Sequence, residues 1–169
     1  MSSCRLTVNV IDDILPAMNS DEKWWEELAL PVLLAEGRMT YGRAIREGYA
    51  AAGFDDIPKL GPRLLGGILR NGGAVGSVSN VAKDFGISKQ AASKLIDTLV
   101  IRGYVERGVD PDDRRLITLE LTERGEEAAQ IGWEATDRVN RELEEAVGAE
   151  AIRKAREVVG TLVELRHQG

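Results

Sequence analysis

Apolar residues recur at helical spacing over most of this chain and at alternating spacing over one short stretch. The first twenty residues hold no sustained period and end on the turn formers Pro16, Asn19 and Ser20, so they read as an arm. From Asp21 the pattern turns helical. Asp21, Glu22, Glu26 and Glu27 suit the positive end of a helix dipole, and Ile45, Tyr49 and Ala52 follow at helical spacing before Gly53. Pro31 either opens a new helix in its first turn or kinks a continuous one. Leu60, Leu64, Leu65, Ile68 and Leu69 form one broad face and predict a short helix over 59–71, ended by the glycines of RNGGAVGS. Val78, Val81, Ala82 and Phe85 predict the next, with Ser77 as its cap and Gly86 as its stop. After the turn Gly86-Ile87, Ser88 is placed to cap a helix that runs to about Arg102, with Gly103 beyond it.

The faces of this last helix differ in kind. Ala92, Leu95, Ile96 and Leu99 form its inward stripe, which leaves Lys89, Gln90, Ser93, Lys94 and Asp97 outward on a polar, mostly basic face. Two helices joined by a tight turn, the second offering donors from its first turns, make a helix-turn-helix whose second helix fits a major groove. The period then changes to two. Residues 104–107 and 116–121 are β-rich, and Ile117, Leu119 and Leu121 alternate with Thr118 and Glu120. The intervening GVDPDDRR supplies turn chemistry, so a hairpin follows the helix-turn-helix as a wing, its tip carrying Arg114 and Arg115. Thr122 then caps a long acidic helix whose stripe is Ala135 or Thr136, Val139, Leu143 and Ala146. Gly148 interrupts it, and a last helix places Ile152, Ala155, Val159 and Leu162 on one side.

Composition refines this picture. The 169 residues are 43% hydrophobic and 5% aromatic, enough for one domain with its own core or a small domain with long helical additions. Twenty-two basic residues stand against 28 acidic ones, a net charge of -6, which at first argues against a polyanionic partner. The distribution reverses that impression. Residues 59–115 hold ten Lys and Arg against six Asp and Glu, +4, and the remainder holds twelve against twenty-two, -10. A basic head on an acidic body favours one face for nucleic acid.

Other chemistries lack their parts. Cys4 is the single cysteine and there is no Cys/His cluster, so no metal is expected, and a reducing cytoplasm is the natural compartment. The N-terminus lacks the layout of a signal peptide, and the longest apolar run, 28–35, is broken by Pro31 and far below the ~20 residues that span a bilayer. His167 is the only imidazole, so no nucleophile, base and orienting group can be assembled; no enzyme, catalytic residue or cofactor is expected. Asp110, Asp112 and Asp113 do not make a calcium loop, because Arg114 falls at the fifth position and Arg115 where glycine is needed. Gly72, Gly73 and Gly76 are followed by no Gly-Lys-Ser/Thr, so they read as a connector. Asp55 and Asp56 read as solvated loop residues.

The stretch SVSNVAKDFGISKQAASKLIDTLVIRGYVERGVDPDDRRLITLELTERG resembles the MarR family of winged helix-turn-helix regulators over roughly residues 60–125. The combination of GYVER, the D-x-R-R of the wing and LTERG at these spacings carries the resemblance. It implies a mostly α fold with a small β-hairpin wing. An arm (1–20) and N-terminal dimerisation helices (21–58) precede the winged module (59–122), and C-terminal dimerisation helices (123–169) follow it. It further implies a cytoplasmic homodimer, usually a repressor, reading a near-palindromic operator in double-stranded DNA. Many relatives release DNA when a small aromatic or anionic effector enters the cleft beside the dimer helices. Trp24, Trp25 and Trp133 are expected in the dimer core, with Trp24 and Trp25 also candidates for lining an effector pocket. Some relatives sense peroxide through an N-terminal cysteine in the dimer region, whereas Cys4 lies in the arm.

By the same resemblance, Lys89, Gln90, Ser93 and Lys94 face the major groove, and Arg114 and Arg115 meet the minor groove or its phosphates. The residue types suit these roles. Gln pairs with adenine, Lys contacts guanine or phosphate, Ser donates to phosphate or a base edge, and the helix start at Ser88 offers free N–H groups to a phosphate. Arginine at a wing tip suits a narrow, negative minor groove. Asp113 is expected to orient Arg115, as the family's pattern suggests. The rival reading is a winged-helix module that docks a protein and does not bind DNA, which would give no reason to gather positive charge around this helix and wing.

Overall fold

The computed structural model describes residues 24–72, 74–109 and 117–165. The arm with Cys4, the side chain of Trp24, the wing tip with Asp113, Arg114 and Arg115, and His167 lie outside the described residues. The chain divides into two units, residues 1–40 and 41–169.

In the first unit a 3-10 turn, Trp24–Glu26, precedes the start of helix α1, Leu30–Ala51. Pro31 stands in the first turn of this new helix, where its missing N–H leaves no hydrogen bond unmade. The start is closed by the Ala29 carbonyl, which accepts from Val32 N at 2.9 Å. The alternative of a kinked continuous helix is thereby excluded.

The second unit contains the end of α1 and all that follows. Helix α2 is Gly61–Arg70, strand β1 Ala74–Val75, α3 Val78–Phe85 and α4 Lys89–Ile101. Strands β2 (Val105–Val109) and β3 (Ile117–Leu121) are followed by helices α5 (Glu123–Val147) and α6 (Ala149–Leu165). β2 and β3 are antiparallel, with Val105 opposite Leu121 and Val109 opposite Ile117. β1 pairs with the other edge of β3, Ala74 opposite Glu120, so the predicted hairpin is in fact a three-stranded sheet in the order β1-β3-β2. Two residues inside RNGGAVGS, read above as a plain connector, thus supply the third strand.

One core holds this unit together. Leu64, Leu65 and Ile68 of α2, Val81 and Ala82 of α3 and the expected stripe of α4 pack with Tyr104, Val105, Leu119 and Leu121. Ala128 and Ala129 of α5 close it, small residues that let the long helix approach α2. Near the end of α1, a Cβ at Gly48 would meet Ile131 and Ala135 of α5, so glycine lets the helices approach there, and Tyr41 donates to Asn140 Oδ1 at 2.8 Å. The rings of Tyr49, Phe54 and Tyr104 form a tilted chain with centroids 6.4 and 6.0 Å apart. The Tyr49 hydroxyl within it has no hydrogen-bond partner among the described residues, and burial, with Tyr104 nearby, pushes its pKa up to about 12.

The two C-terminal helices behave differently along their length. α5 buries only its first half; from Arg141 onward every residue is exposed, including the predicted stripe members Leu143 and Ala146. α6 has no buried residue, although Val158, Val159, Leu162 and Val163 stand together on it. No helix among the described residues is long and apolar enough to cross a membrane.

Candidate nucleic-acid interface

Helix α3 ends where Gly86 enters the left-handed region at φ 66°, and Ile87 N donates back to Ala82 O at 3.0 Å. That closure turns the chain in two residues and delivers Ser88 in an extended conformation at the head of α4. Ser88 Oγ accepts from Ala91 N at 3.1 Å, as its position predicts. The N–H groups of Lys89 and Gln90, in the same first turn, have no carbonyl a turn earlier to accept them. Ser77 stands at the equivalent place before α3, yet its side chain makes no capping bond, which corrects half of the expectation for it.

Burial of Ala92, Leu95, Ile96 and Leu99 fixes the rotation of α4 about its axis. Ser88, Lys89, Gln90 and Lys94 are consequently exposed, and Ser93 is half-buried. Neither Lys89 nor Lys94 takes part in an ion pair among the described residues. Their charges are therefore uncompensated at the surface, which is the condition for binding a polyanion.

Asp97 lies on the outward face as expected, but it is engaged there. Its Oδ1 takes a hydrogen bond from Arg107 Nη2 of β2, and its Oδ2 lies 3.3 Å from Ser93 Oγ. Both partners of the ion pair are nearly half-exposed, so the pair adds little stability; its effect is to tie the exposed face of α4 to the first wing strand. Ser93 to Asp97 is an i,i+4 spacing visible in the sequence, whereas Arg107 becomes a partner only through the fold.

A second cluster lies behind α4 and was not anticipated. Arg102, at the helix end, donates to the Asp56 carbonyl, and Tyr104 OH donates to Asp56 Oδ1. Arg124 of α5 reaches both, at 3.3 Å from Asp56 Oδ1 and 3.0 Å from the Tyr104 hydroxyl, with its guanidinium 4.6 Å from the Tyr104 ring centre. The Tyr104 hydrogen bond, then Arg124 and Arg102, hold the Asp56 carboxyl below its ordinary range. Burial and the same hydrogen bond raise Tyr104. Asp56 is thus a junction between the α1–α2 loop, the end of α4, β2 and α5, not the solvated loop residue the sequence suggested.

Of the tryptophans expected in the dimer core, Trp25, also an effector candidate, is 47% exposed and Trp133 58% exposed. An open groove between α2 and α3, lined by Arg63, Leu64, Arg70, Asn71, Asn80 and Phe85, contains neither.

Comparison with known proteins follows the same geometry. Residues 60–116 match the model of the MarR family. An uncharacterised protein of Mycobacterium tuberculosis is 27% identical over 120 residues, 71% of this chain and 76% of its own length, and one of Mycobacterium bovis matches to the same extent. Among solved structures, NadR in complex with 4-hydroxyphenylacetate superposes with a TM-score of 0.65 at 20% identity, over 81% of this chain and 94% of that one. A mutant of E. coli MarR complexed with operator DNA gives 0.62 at 20% identity, over 83% and 98%. At such identities the superpositions show the shared winged-helix fold.

Proposed function

We propose, from the match of residues 60–116 to the MarR family model, that this chain is a dimeric, sequence-specific DNA-binding regulator of MarR type, a repressor reading a near-palindromic operator. The observation that carries the reading is the exposed face of α4, with Lys89, Gln90 and Lys94 presented together and neither lysine neutralised. Lysines there meet phosphate or guanine, Gln90 meets adenine, and the N–H groups after Ser88 take a phosphate. Arg114 and Arg115 at the wing tip add the minor-groove contact, Asp113 holding Arg115 in place. The operator complex of E. coli MarR supports the reading by likeness of fold.

Dimerisation is supported by the apolar residues that a single chain leaves uncovered. Leu143 and Val147 of α5 and Val158, Val159, Leu162 and Val163 of α6 lie 40% or more exposed, an arrangement that a second copy would bury. The 4-hydroxyphenylacetate complex of NadR supports a small aromatic, anionic effector in this fold, with Trp24 and Trp25 as candidates to line its site. The rival protein-docking reading leaves the local basic charge without a purpose.

Selection of bound duplexes from a random pool tests the function. A recovered palindrome supports it, and Lys94→Ala and Arg115→Ala should each weaken binding to that duplex while leaving helicity and dimer mass unchanged. Unaltered affinity in both variants rejects the assignment of the site.

A further inference from the structure

We propose that Ser93 reads the major groove as a hydrogen-bond acceptor, selecting adenine or cytosine at one position of each half-site, and that Asp97 imposes this polarity. The inference rests on the DNA-reading role of α4 proposed above and says what kind of base that helix requires.

A serine hydroxyl has one hydrogen and two lone pairs, whereas a carboxylate has lone pairs only. Between Ser93 Oγ and Asp97 Oδ2, 3.3 Å apart, the hydrogen must come from the serine. Asp97 cannot readily turn away, because its other oxygen is held by Arg107 from β2. The arginine also offsets the negative charge that Asp97 would bring to a DNA-facing helix. Ser93 keeps partial exposure on the same face as Lys89, Gln90 and Lys94, so it is open to a base edge. With its hydrogen committed to Asp97, it offers that edge lone pairs alone.

The groove then decides which partners remain. Guanine presents N7 and O6 and thymine O4, all acceptors, and phosphate oxygens are acceptors too. None of them can bond to an oxygen without a free hydrogen. Adenine N6 and cytosine N4 are donors, and these satisfy Ser93. The face therefore divides its tasks: the lysines only donate, Ser93 only accepts, and Gln90 does both. On this proposal Ser93 accepts from a base edge, in place of the donor role to phosphate or a base edge that the residue type suggests.

The test is duplex selection from a random pool with the wild type, Ser93→Ala and Asp97→Asn, each checked for helicity and melting temperature. The wild type should select adenine or cytosine at one position per half-site, and Ser93→Ala should reduce that preference about twofold to tenfold, leaving the other positions as they were. Asp97→Asn has an amide that can donate to Ser93 and release its hydrogen, so guanine or thymine should become tolerated at the same position. Should the asparagine variant fail to fold, the Ser93→Ala profile decides alone, since position 93 is not in the core. Since every pair holds one base with an amino group in the major groove, the deciding duplexes replace that amino group alone, purine for adenine or pyrimidin-2-one for cytosine, at the Ser93-dependent position, and wild-type affinity unchanged by the replacement overturns the proposal. So does an unchanged profile for Ser93→Ala, or an equal loss of affinity for all sequences, which would mark a phosphate contact. If the wild type enriches no duplex at all, the DNA-reading role itself fails, before any variant is compared.

Discussion

Gly125 shows how a single residue position can be dictated by two elements at once. A Cβ built on it would lie 1.9 Å from the Tyr104 carbonyl oxygen, a backbone atom of the residue just before β2. Alanine would gain about 1 kcal/mol from helix propensity, but the clash costs more than that gain. Gly125→Ala should therefore lower unfolding stability by about 2 to 4 kcal/mol in urea titration, and a neutral or stabilising result would mean that α5 can move off the sheet. Asp56 makes a second residue-scale prediction. Its carboxyl lies below its ordinary value of 3.8 when folded, so it contributes stability that is present above that value and lost as pH falls through the lower folded value. Urea midpoints should thus fall more steeply below pH ~4 in the wild type than in Asp56→Asn. Parallel profiles would show that the junction does not couple to folding. GYVER and LTERG carry the resemblance to the MarR family, and their physical content is now plain: Tyr104, Arg124 and Gly125 are where helix, strand and loop meet. Asp56 was not legible, because its partners lie 46 to 68 residues away in sequence.

At the level of elements, periodicity and caps located the helices closely, since a stripe such as Leu64, Leu65 and Ile68 has one way to be buried. Strand β1 escaped because two residues have no period; only the free edge of β3 makes Ala74 and Val75 a strand. Caps are similarly divided between position and bonding. Thr122 Oγ1 accepts from Gly125 N at 3.0 Å and donates to Gly103 O at 2.6 Å, tying the head of α5 to the end of α4. Ser77 occupies an N-cap but makes no such bond. Thr122→Ala should accordingly cost about 1 to 2 kcal/mol in thermal or urea unfolding, and Ser77→Ala no more than ~0.5. Equal losses would refute the distinction.

Across the whole molecule, charge and apolar surface are separated. The net charge of -6 conceals a +4 segment over residues 59–115, and the large uncovered apolar residues of the last two helices lie outside it. The sequence showed this separation because charge counts need no fold, but it did not show that the predicted stripe of α6 would find nothing to pack on within one chain. If a second copy covers it, sedimentation should give twice the 18.5 kDa chain mass, and Val159→Glu with Leu162→Glu should yield monomers. A monomeric wild type, or a variant that still dimerises, would refute that role for α6. The central claim is that the uncompensated lysines of α4 bind DNA. Its most direct test is the salt dependence of affinity for the selected duplex, compared between the wild type and the double variant Lys89→Ala, Lys94→Ala. Released counterions should make wild-type affinity fall by about a thousandfold or more between ~50 and ~200 mM salt if six or more phosphates are contacted, with a slope flatter by roughly 0.9 for each contact the variant loses. An affinity indifferent to salt, or identical slopes for the two proteins, would contradict it.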